Sequence, residues 1–181
     1  MKISFRQIPD SSLNCNKGEC HFTGDKDTIR SVFSNLEKRP KWDTMLAKME
    51  IVEDLGTKDG VSHSIGYALY KSPSMFVSNR DFVYVDEEAT EADGSFYFTT
   101  KSVTHPKAPE TKGNVRGNIE IAGYYLKPTN AEQTEWDCTY ITVLDLCGSI
   151  PSAIVRSVNK DQPSHLGLLR DEIAKEYKNK K

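Results

Sequence analysis

The 181-residue sequence has no apolar run that approaches the roughly 18 residues of a membrane-spanning helix. Its first residues, from Met1 to Gln7, contain no apolar core of the length found in secretory signal peptides. The formal net charge is only −2, which leaves no basic excess for the phosphate backbone of a nucleic acid. We therefore predict a cytoplasmic protein that binds no nucleic acid.

Motifs that carry covalent or metal chemistry are scarce as well. The four cysteines show no Cys-x-x-Cys spacing, so they predict no zinc site and, in the cytoplasm, free thiols. The four histidines have no metal-ligand spacing, and the sequence lacks His-Glu-x-x-His, Gly-x-Ser-x-Gly and a glycine-rich phosphate loop. We expect neither a metal ion nor a cofactor.

The C-terminal part of the chain, residues 145–177, has the clearest helical pattern. It follows a predicted strand at 139–144, turns at residues 147–149, and enters a helix with Ser149 as N-cap and Pro151 in the first turn. Apolar residues then recur near the helical period at Ile154, Val158, Leu166, Leu169 and Ile173. Pro163 predicts a kink or a break in this helix. The helix either covers a sheet or closes a ligand chamber, and its pattern allows both.

The preceding residues predict one helix and a series of strands. Asp25 or Asp27 caps a helix whose apolar residues have i, i+3, i+4, i+7 spacing from Ile29 to Leu36. Alternating patterns and turn residues predict strands at 3–8, 14–22, 49–55, 61–70, 82–85, 95–99, 115–126 and 135–144. The sequence thus predicts a single α+β domain over 1–181, with a long helix across the concave side of a curved antiparallel sheet. Such a sheet is either filled by side chains or holds a ligand.

Four short motifs occur in order along this pattern. They are Arg39-Pro-Lys-Trp-Asp43, Ser78-Asn-Arg-Asp-Phe-Val-Tyr84, Val115-Arg-Gly117 and Asp145-Leu-Cys-Gly-Ser-Ile-Pro-Ser152. Together they resemble the START (StAR-related lipid-transfer) domain, and the likeness extends from about Met1 to Glu176. The resemblance implies a helix-grip fold with an internal lipid tunnel, whose lid is the C-terminal helix with the loop 102–114. Members of that family usually have a further helix before the first strand, and we expect this chain to lack it.

The resemblance also implies where a lipid headgroup binds. Arg39 lies where phosphatidylcholine-binding members place an arginine that contacts the phosphate, while a surface salt bridge is the alternative role. Trp42 and Asp43 beside it are expected to be structural. The choline-cage positions correspond to Ala68, Phe82 and Glu120, of which only one is aromatic; Tyr67 and Tyr84 would supply rings in another register.

A row of residues on one strand completes the predicted site. Alternation places Phe82, Tyr84 and Asp86 on one face, which the family resemblance implies is the inner one. Asp86 and Glu120 would accept hydrogen bonds from a hydroxyl or amine headgroup, with Arg80 and Arg116 as candidate partners because unpaired buried carboxylates are costly. The alternative role of Arg80, with Asp81, is to fix the start of the strand. Ile154 and Val158 of the long helix are expected to contact the lipid chain.

Our leading hypothesis is a non-enzymatic, monomeric carrier that holds one lipid, a phospholipid, and transfers it between membranes. It would contact the membrane through the C-terminal helix and the loop 102–114. The alternatives are a carrier of sterol- or ceramide-type lipids, a helix-grip enzyme that uses Asp86 and Glu120 as an acid–base pair, and a regulatory module with a filled interior.

Overall fold

The computed structural model describes residues 1–151, 154–155, 158 and 164–180. Its strands are β1 (Lys2–Gln7), β2 (Asn14–Thr23), β3 (Leu46–Lys58), β4 (Val61–Tyr70), β5 (Asn79–Thr90), β6 (Phe96–Ser102), β7 (Asn114–Arg116), β8 (Asn118–Pro128) and β9 (Glu135–Asp145). Helix α1 spans Lys26–Ser34, a one-turn 3-10 helix spans Arg39–Lys41, and helix α2 spans His165–Lys180. Within these described ranges, no helix has the length and apolar character to cross a bilayer.

The strands form one open sheet in the order β1-β2-β9-β8-β6-β5-β4-β3. All pairings along this order are antiparallel, and β7 pairs in parallel with β5. The predicted α+β, helix-grip architecture is confirmed. Three strands differ clearly from their predicted limits. The strand predicted at 49–55 extends over Leu46–Lys58, the one predicted at 82–85 extends over Asn79–Thr90, and the one predicted at 115–126 is divided at Gly117 into β7 and β8. The other limits agree to within three residues.

Helix α1 forms for the reasons that its sequence predicts. The carboxylate of Asp25 accepts a hydrogen bond from the Thr28 backbone N–H at 2.7 Å, which satisfies one of the free donors of the first turn. Ile29, Val32 and Phe33 are buried on its inner face. Leu36 lies beyond the helix and remains 36% exposed.

Helix α2 covers only the part of the sheet around β2. It packs on β2 and on α1, and Leu166, Leu169 and Ile173 are completely buried there. Together with large side chains of the sheet and α1, they form the main hydrophobic core. Ile154, Val155 and Val158 have helical backbone, but the predicted break at Pro163 lies outside the described residues.

Arg80 ties the start of β5 to the turn that follows β9. Its guanidinium donates from Nε to the Leu146 carbonyl and from Nη2 to the Cys147 carbonyl, both at 3.0 Å, and from Nη1 to the Ser78 carbonyl. The turn itself depends on two left-handed residues, Cys147 (φ 51°) and Gly148 (φ 67°). Arg80 thus has the structural role that one of the two sequence interpretations gave it. Its partners, however, are backbone carbonyls rather than Asp81.

Asp81 instead pairs with Arg116 on the outer face of the sheet. The carboxylate is 1% exposed and accepts from Nε of Arg116 at 3.0 Å and from Nη2 at 3.1 Å. Arg116 also donates to the carbonyls of Ala108 and Pro109, which holds the loop 102–114 against this face. A small outer cluster forms under the loop from Ile65, Val83, Ala108, Val52, Tyr67, Val85 and Val103.

This buried ion pair generates a stability prediction. In Asp81→Asn, the Arg116 charge loses its counter-charge in a poorly solvated site, so we expect the free energy of unfolding to fall by about 3 kcal/mol in urea denaturation. Asp171→Asn, which removes the exposed Arg170–Asp171 pair, is the control and should change it by less than about 0.5 kcal/mol. Equal effects in the two variants would contradict the importance of the buried pair.

Candidate functional site

A cavity of about 720 Å³ lies between the inner face of the sheet and the chain around α2. Its apolar wall includes Met49, Phe82, Ile119, Leu144, Leu146 and Leu168. Along β5, the residues that line it alternate from Arg80 to Asp86 and continue through Glu87 to Glu88, a distance of about 26 Å at 3.3 Å per residue. The cavity is therefore long and mainly apolar, and the interior is not filled by side chains.

Six of the nine predicted site residues line this cavity. They are Arg39, Phe82, Tyr84, Asp86, Ile154 and Val158. The prediction that Phe82, Tyr84 and Asp86 share the inner face of one strand is confirmed, because period-two alternation holds without interruption along this part of β5.

Three predicted residues lie elsewhere, and for these the cavity placement was wrong. Tyr67 packs in the outer cluster, with its hydroxyl bonded to Asp81. Arg116 binds Asp81 on the same outer side. Glu120 is exposed and accepts a hydrogen bond from Asn118 at 2.6 Å. Asp86 and Glu120 are therefore not brought together as the acid–base pair that the enzyme hypothesis required.

The loop 102–114, which the family resemblance implied is part of the lid, also lies away from the cavity. No residue of the loop 102–114, which the structure describes in full, lines the cavity. Lys107 instead forms an ion pair with Glu53 of β3 at 2.7 Å, and Nε2 of His105 lies 3.3 Å from the same carboxylate. The segment that does border the cavity is the β4–β5 loop, through Ser72, Pro73, Val77 and Ser78.

Arg39 is the basic group best placed to receive a polar part of a ligand. It lies in the 3-10 turn after α1, where its guanidinium is 4.1 Å from the centre of the Trp42 ring and its Nε is 3.3 Å from Asp43 Oδ2. Tyr70 donates its hydroxyl to the same carboxylate oxygen at 3.0 Å. Among the described residues, Nη1 and Nη2 of Arg39 have no hydrogen-bond partner. An oriented, permanently charged fork thus faces the cavity.

Trp42 has the structural role expected from the sequence. Its ring is fully buried, and its Nε1 donates to the Val32 carbonyl at 3.4 Å. It contacts Phe33 edge-to-face and lies below the guanidinium of Arg39. The indole therefore fixes the 3-10 turn to α1 and orients Arg39.

Tyrosines form the remaining polar part of the site. Tyr70, Tyr84, Tyr124 and Tyr140 line the cavity, and burial raises the pKa of all four, so their hydroxyls stay protonated. Tyr124 and Tyr140 are direct partners across β8 and β9, and Tyr124 also hydrogen-bonds His165 at the start of α2. Sequence reasoning missed these two; the alternation that buries Leu126 and Cys138 on the inner face would have identified them.

Asp86 provides an acidic group farther along the same wall. Burial raises its pKa to about 6, although the hydrogen bond from Thr100 and the nearby charge of Arg39 both lower it. Its side chain is thus a carboxylate at neutral pH and a carboxylic acid in mild acid. The cavity combines an apolar tunnel with a basic group, neutral hydroxyls and one titratable acid.

An open antiparallel sheet with a C-terminal helix over its concave face and a cavity between them defines the helix-grip class of protein. The START domain profile matches residues 24–164 of this sequence, which is more than half of the chain. The chain belongs to the START domain family.

Individual relatives agree with this assignment. Zebrafish (Danio rerio) steroidogenic acute regulatory protein, mitochondrial, is 26% identical over 149 residues, which are 82% of this chain and 51% of the relative. Bovine (Bos taurus) StAR-related lipid transfer protein 5 is 25% identical over 87% of this chain and 73% of its own length. The structure of human StAR-related lipid transfer protein 5 superposes with a TM-score of 0.82 at 23% identity, covering 96% of this chain and 81% of that one. The chain spans about half the length of the zebrafish relative.

The titration of Asp86 predicts a pH-dependent stability difference. Its pKa is about 6 in the folded protein and about 3.9 in an unfolded chain. The folded state binds more protons between these values, so the contribution of Asp86 to stability falls as the pH rises from about 4 to 6. Asp86→Asn should therefore be more stable than wild type at about pH 7, by on the order of 2–3 kcal/mol, with little difference at about pH 4.

Urea denaturation of both proteins across this pH range measures the effect. Glu120→Gln, an exposed carboxylate on β8, is the matched control and should show differences below about 0.5 kcal/mol at each pH. A variant Asp86→Asn that is less stable than wild type at neutral pH would show that the ionised form is favoured, against this assignment.

Proposed function

We propose that the protein binds one lipid molecule in the cavity and transfers it between membranes, without covalent chemistry. The observation that carries this proposal is the mainly apolar cavity of about 720 Å³ between the inner face of the sheet and the chain around α2. Each buried methylene contributes about 0.8 kcal/mol, so an acyl chain or a sterol body gains much more from such a tunnel than from water. The names of the relatives, which include a lipid transfer protein, support the same function.

For the headgroup, we propose that Arg39 donates from its free Nη groups to a phosphate. A guanidinium matches phosphate oxygens with two parallel hydrogen bonds, and these are strong in a poorly solvated site. Asp43 and Trp42 already hold the side chain in place, which lowers the entropy lost on binding. The phosphate of a phospholipid therefore remains our first candidate.

The second candidate class is sterol- or ceramide-type lipids, and the size of the cavity favours the sterols within it, because a ceramide has two hydrocarbon chains as a phospholipid does. At about 30 Å³ for each water-sized group, a cavity of 720 Å³ holds about 24 such groups. A sterol or a single-chain lipid has that size, whereas a phospholipid with two chains is larger. Asp86 would accept a hydrogen bond from a hydroxyl group of such a lipid.

The membrane-contacting surface is proposed to include the β4–β5 loop, in addition to the C-terminal helix. Met75 and Phe76 at its tip are 91% and 90% exposed, and they are flanked by residues that line the cavity. Large apolar side chains gain free energy on entering a bilayer, so their position next to the opening would bring the cavity to the lipid. The loop 102–114 is held to the outer face and contributes at most its exposed charges. We propose that the carrier acts as a cytoplasmic monomer.

Native mass spectrometry after incubation with liposomes of phospholipid, cholesterol and ceramide tests the proposal. We expect a one-to-one lipid adduct, whose mass identifies the lipid class. In Arg39→Gln, a phospholipid adduct should weaken by at least about tenfold, because two charge-assisted hydrogen bonds are lost. Arg39→Lys keeps a charge for Asp43 but loses the planar fork. Its affinity for the phospholipid should therefore lie between those of wild type and Arg39→Gln.

Arg6→Gln, which makes the same change at an exposed arginine of β1, is the control and should bind lipid as wild type does. A folded protein that takes up no lipid would refute the carrier function. A phospholipid adduct unchanged in Arg39→Gln would refute the phosphate role of Arg39 alone.

The β4–β5 loop yields a separate prediction. Met75→Ser with Phe76→Ser should reduce sedimentation with liposomes and the rate of lipid transfer by about tenfold, because the apolar area that enters the bilayer is lost. The lipid already in the cavity should be retained. Ile121→Ser, at a 49% exposed apolar residue of β8 that does not line the cavity, is the control. Equal losses in both variants would show that the loop has no special role.

A further inference from the structure

Two aromatic rings of the cavity wall lie directly over glycines. Gly66 of β4 is the cross-strand partner of Tyr84, and a Cβ atom at Gly66 would be 2.6 Å from Cζ and 2.9 Å from the hydroxyl oxygen of that ring. Gly117, between β7 and β8, lies under the ring of Phe82, and a Cβ there would be 2.6 Å from Cζ of the phenylalanine. Real Cβ atoms do not approach this closely, so each ring occupies the space of a missing side chain.

These glycines are not needed for the backbone. The glycines with positive φ are at other positions of the described chain, and neither Gly66 nor Gly117 is among them. An alanine at either position would therefore meet no backbone strain. The three atoms nearest to its Cβ would all belong to the aromatic ring above it.

A displaced ring would have to move into the cavity. Tyr84 and Phe82 are 4% and 3% exposed and pack with Leu46 and Ala68 on the wall side. Close-packed neighbours yield little, so the empty volume of the cavity is the direction open to the ring. Because Phe82 and Tyr84 are two residues apart on β5, the rings would narrow the tunnel at two levels about 6.6 Å apart.

We infer that Gly66 and Gly117 determine ligand specificity by setting the width of the tunnel. They let the two rings lie flat on the sheet, which leaves room for a wide, rigid ligand body such as a fused-ring sterol. With alanine at either position, a raised ring leaves a bore that a flexible acyl chain still passes and a rigid ring system does not. This inference rests on the proposed lipid binding.

Equilibrium binding of two fluorescent probes, a sterol and a single-chain fatty acid, tests the inference in Gly66→Ala. We expect the affinity for the sterol to fall by about tenfold or more and that for the fatty acid by less than about threefold. The double variant Gly66→Ala/Tyr84→Leu should recover sterol binding, because the ring that blocks the tunnel is removed. Gly167→Ala, where the new Cβ meets only Met1 Sδ at 3.9 Å, should bind both probes as wild type does.

The outcomes separate this inference from the proposed function. A folded wild type that binds neither probe would refute lipid binding itself. A wild type that excludes the sterol, equal losses of both probes in Gly66→Ala, or a loss that Tyr84→Leu does not reverse would each overturn the role of Gly66. Gly117→Ala with Phe82→Leu repeats the test at the second level, so the inference stays testable if Gly66→Ala does not fold.

Discussion

The fold depends on a mismatch between one wide sheet and one narrow helix. Eight strands side by side, spaced by about 4.8 Å, give a concave face more than 30 Å wide, whereas an α-helix with its side chains is about 10 Å across. Helix α2 meets this face at β2, where it joins α1 in the main core. The strands at the other end, β3 to β5, keep a small cluster of their own that borders the cavity. The cavity is the part of the apolar face that the helices cannot reach.

The polar groups in this cavity are tolerated because they are arranged to limit the cost of burial. A buried arginine is expensive without a counter-charge, and Asp43 supplies one to Arg39. Trp42 lies against the guanidinium, and Tyr70 donates its hydroxyl to the Asp43 carboxylate. The tyrosine hydroxyls are neutral donors and need no counter-charge. Asp86 has no basic side chain in contact among the described residues, and burial raises its pKa. The unused donors of Arg39 and the titratable Asp86 are therefore the two points where a bound headgroup would lower the free energy most.

Sequence reasoning predicted the inner row of β5 but not the sides of its neighbours, for physical reasons. Regular alternation on β5 locates Phe82, Tyr84 and Asp86 once one of them is placed. On β4, apolar residues occur on both faces, because the loop 102–114 covers the outer one, so the pattern could not tell which side Tyr67 takes. On β8, the pairing with β9 shifts register between Ile119 and Ile121, and Glu120, which the family resemblance placed among the headgroup-binding residues, lies at this irregularity and is exposed. The free Nη donors of Arg39 depend on tertiary contacts that no spacing encodes.

The side chain of Arg80 joins the base of the β4–β5 loop to the turn after β9, and this determines which part of the loop can move most easily. Arg80 binds carbonyls at the end of the β4–β5 loop and in the turn after β9, so these segments are fixed to each other by three charge-assisted hydrogen bonds. Separating them would leave Arg80, which is only 7% exposed, without acceptors. The part of the loop farther from Arg80, with its exposed apolar tip, has no such restraint among the described residues. Movement of the β4–β5 loop is therefore least costly at its tip, where the proposed function places the apolar side chains against a bilayer, and most costly at its base.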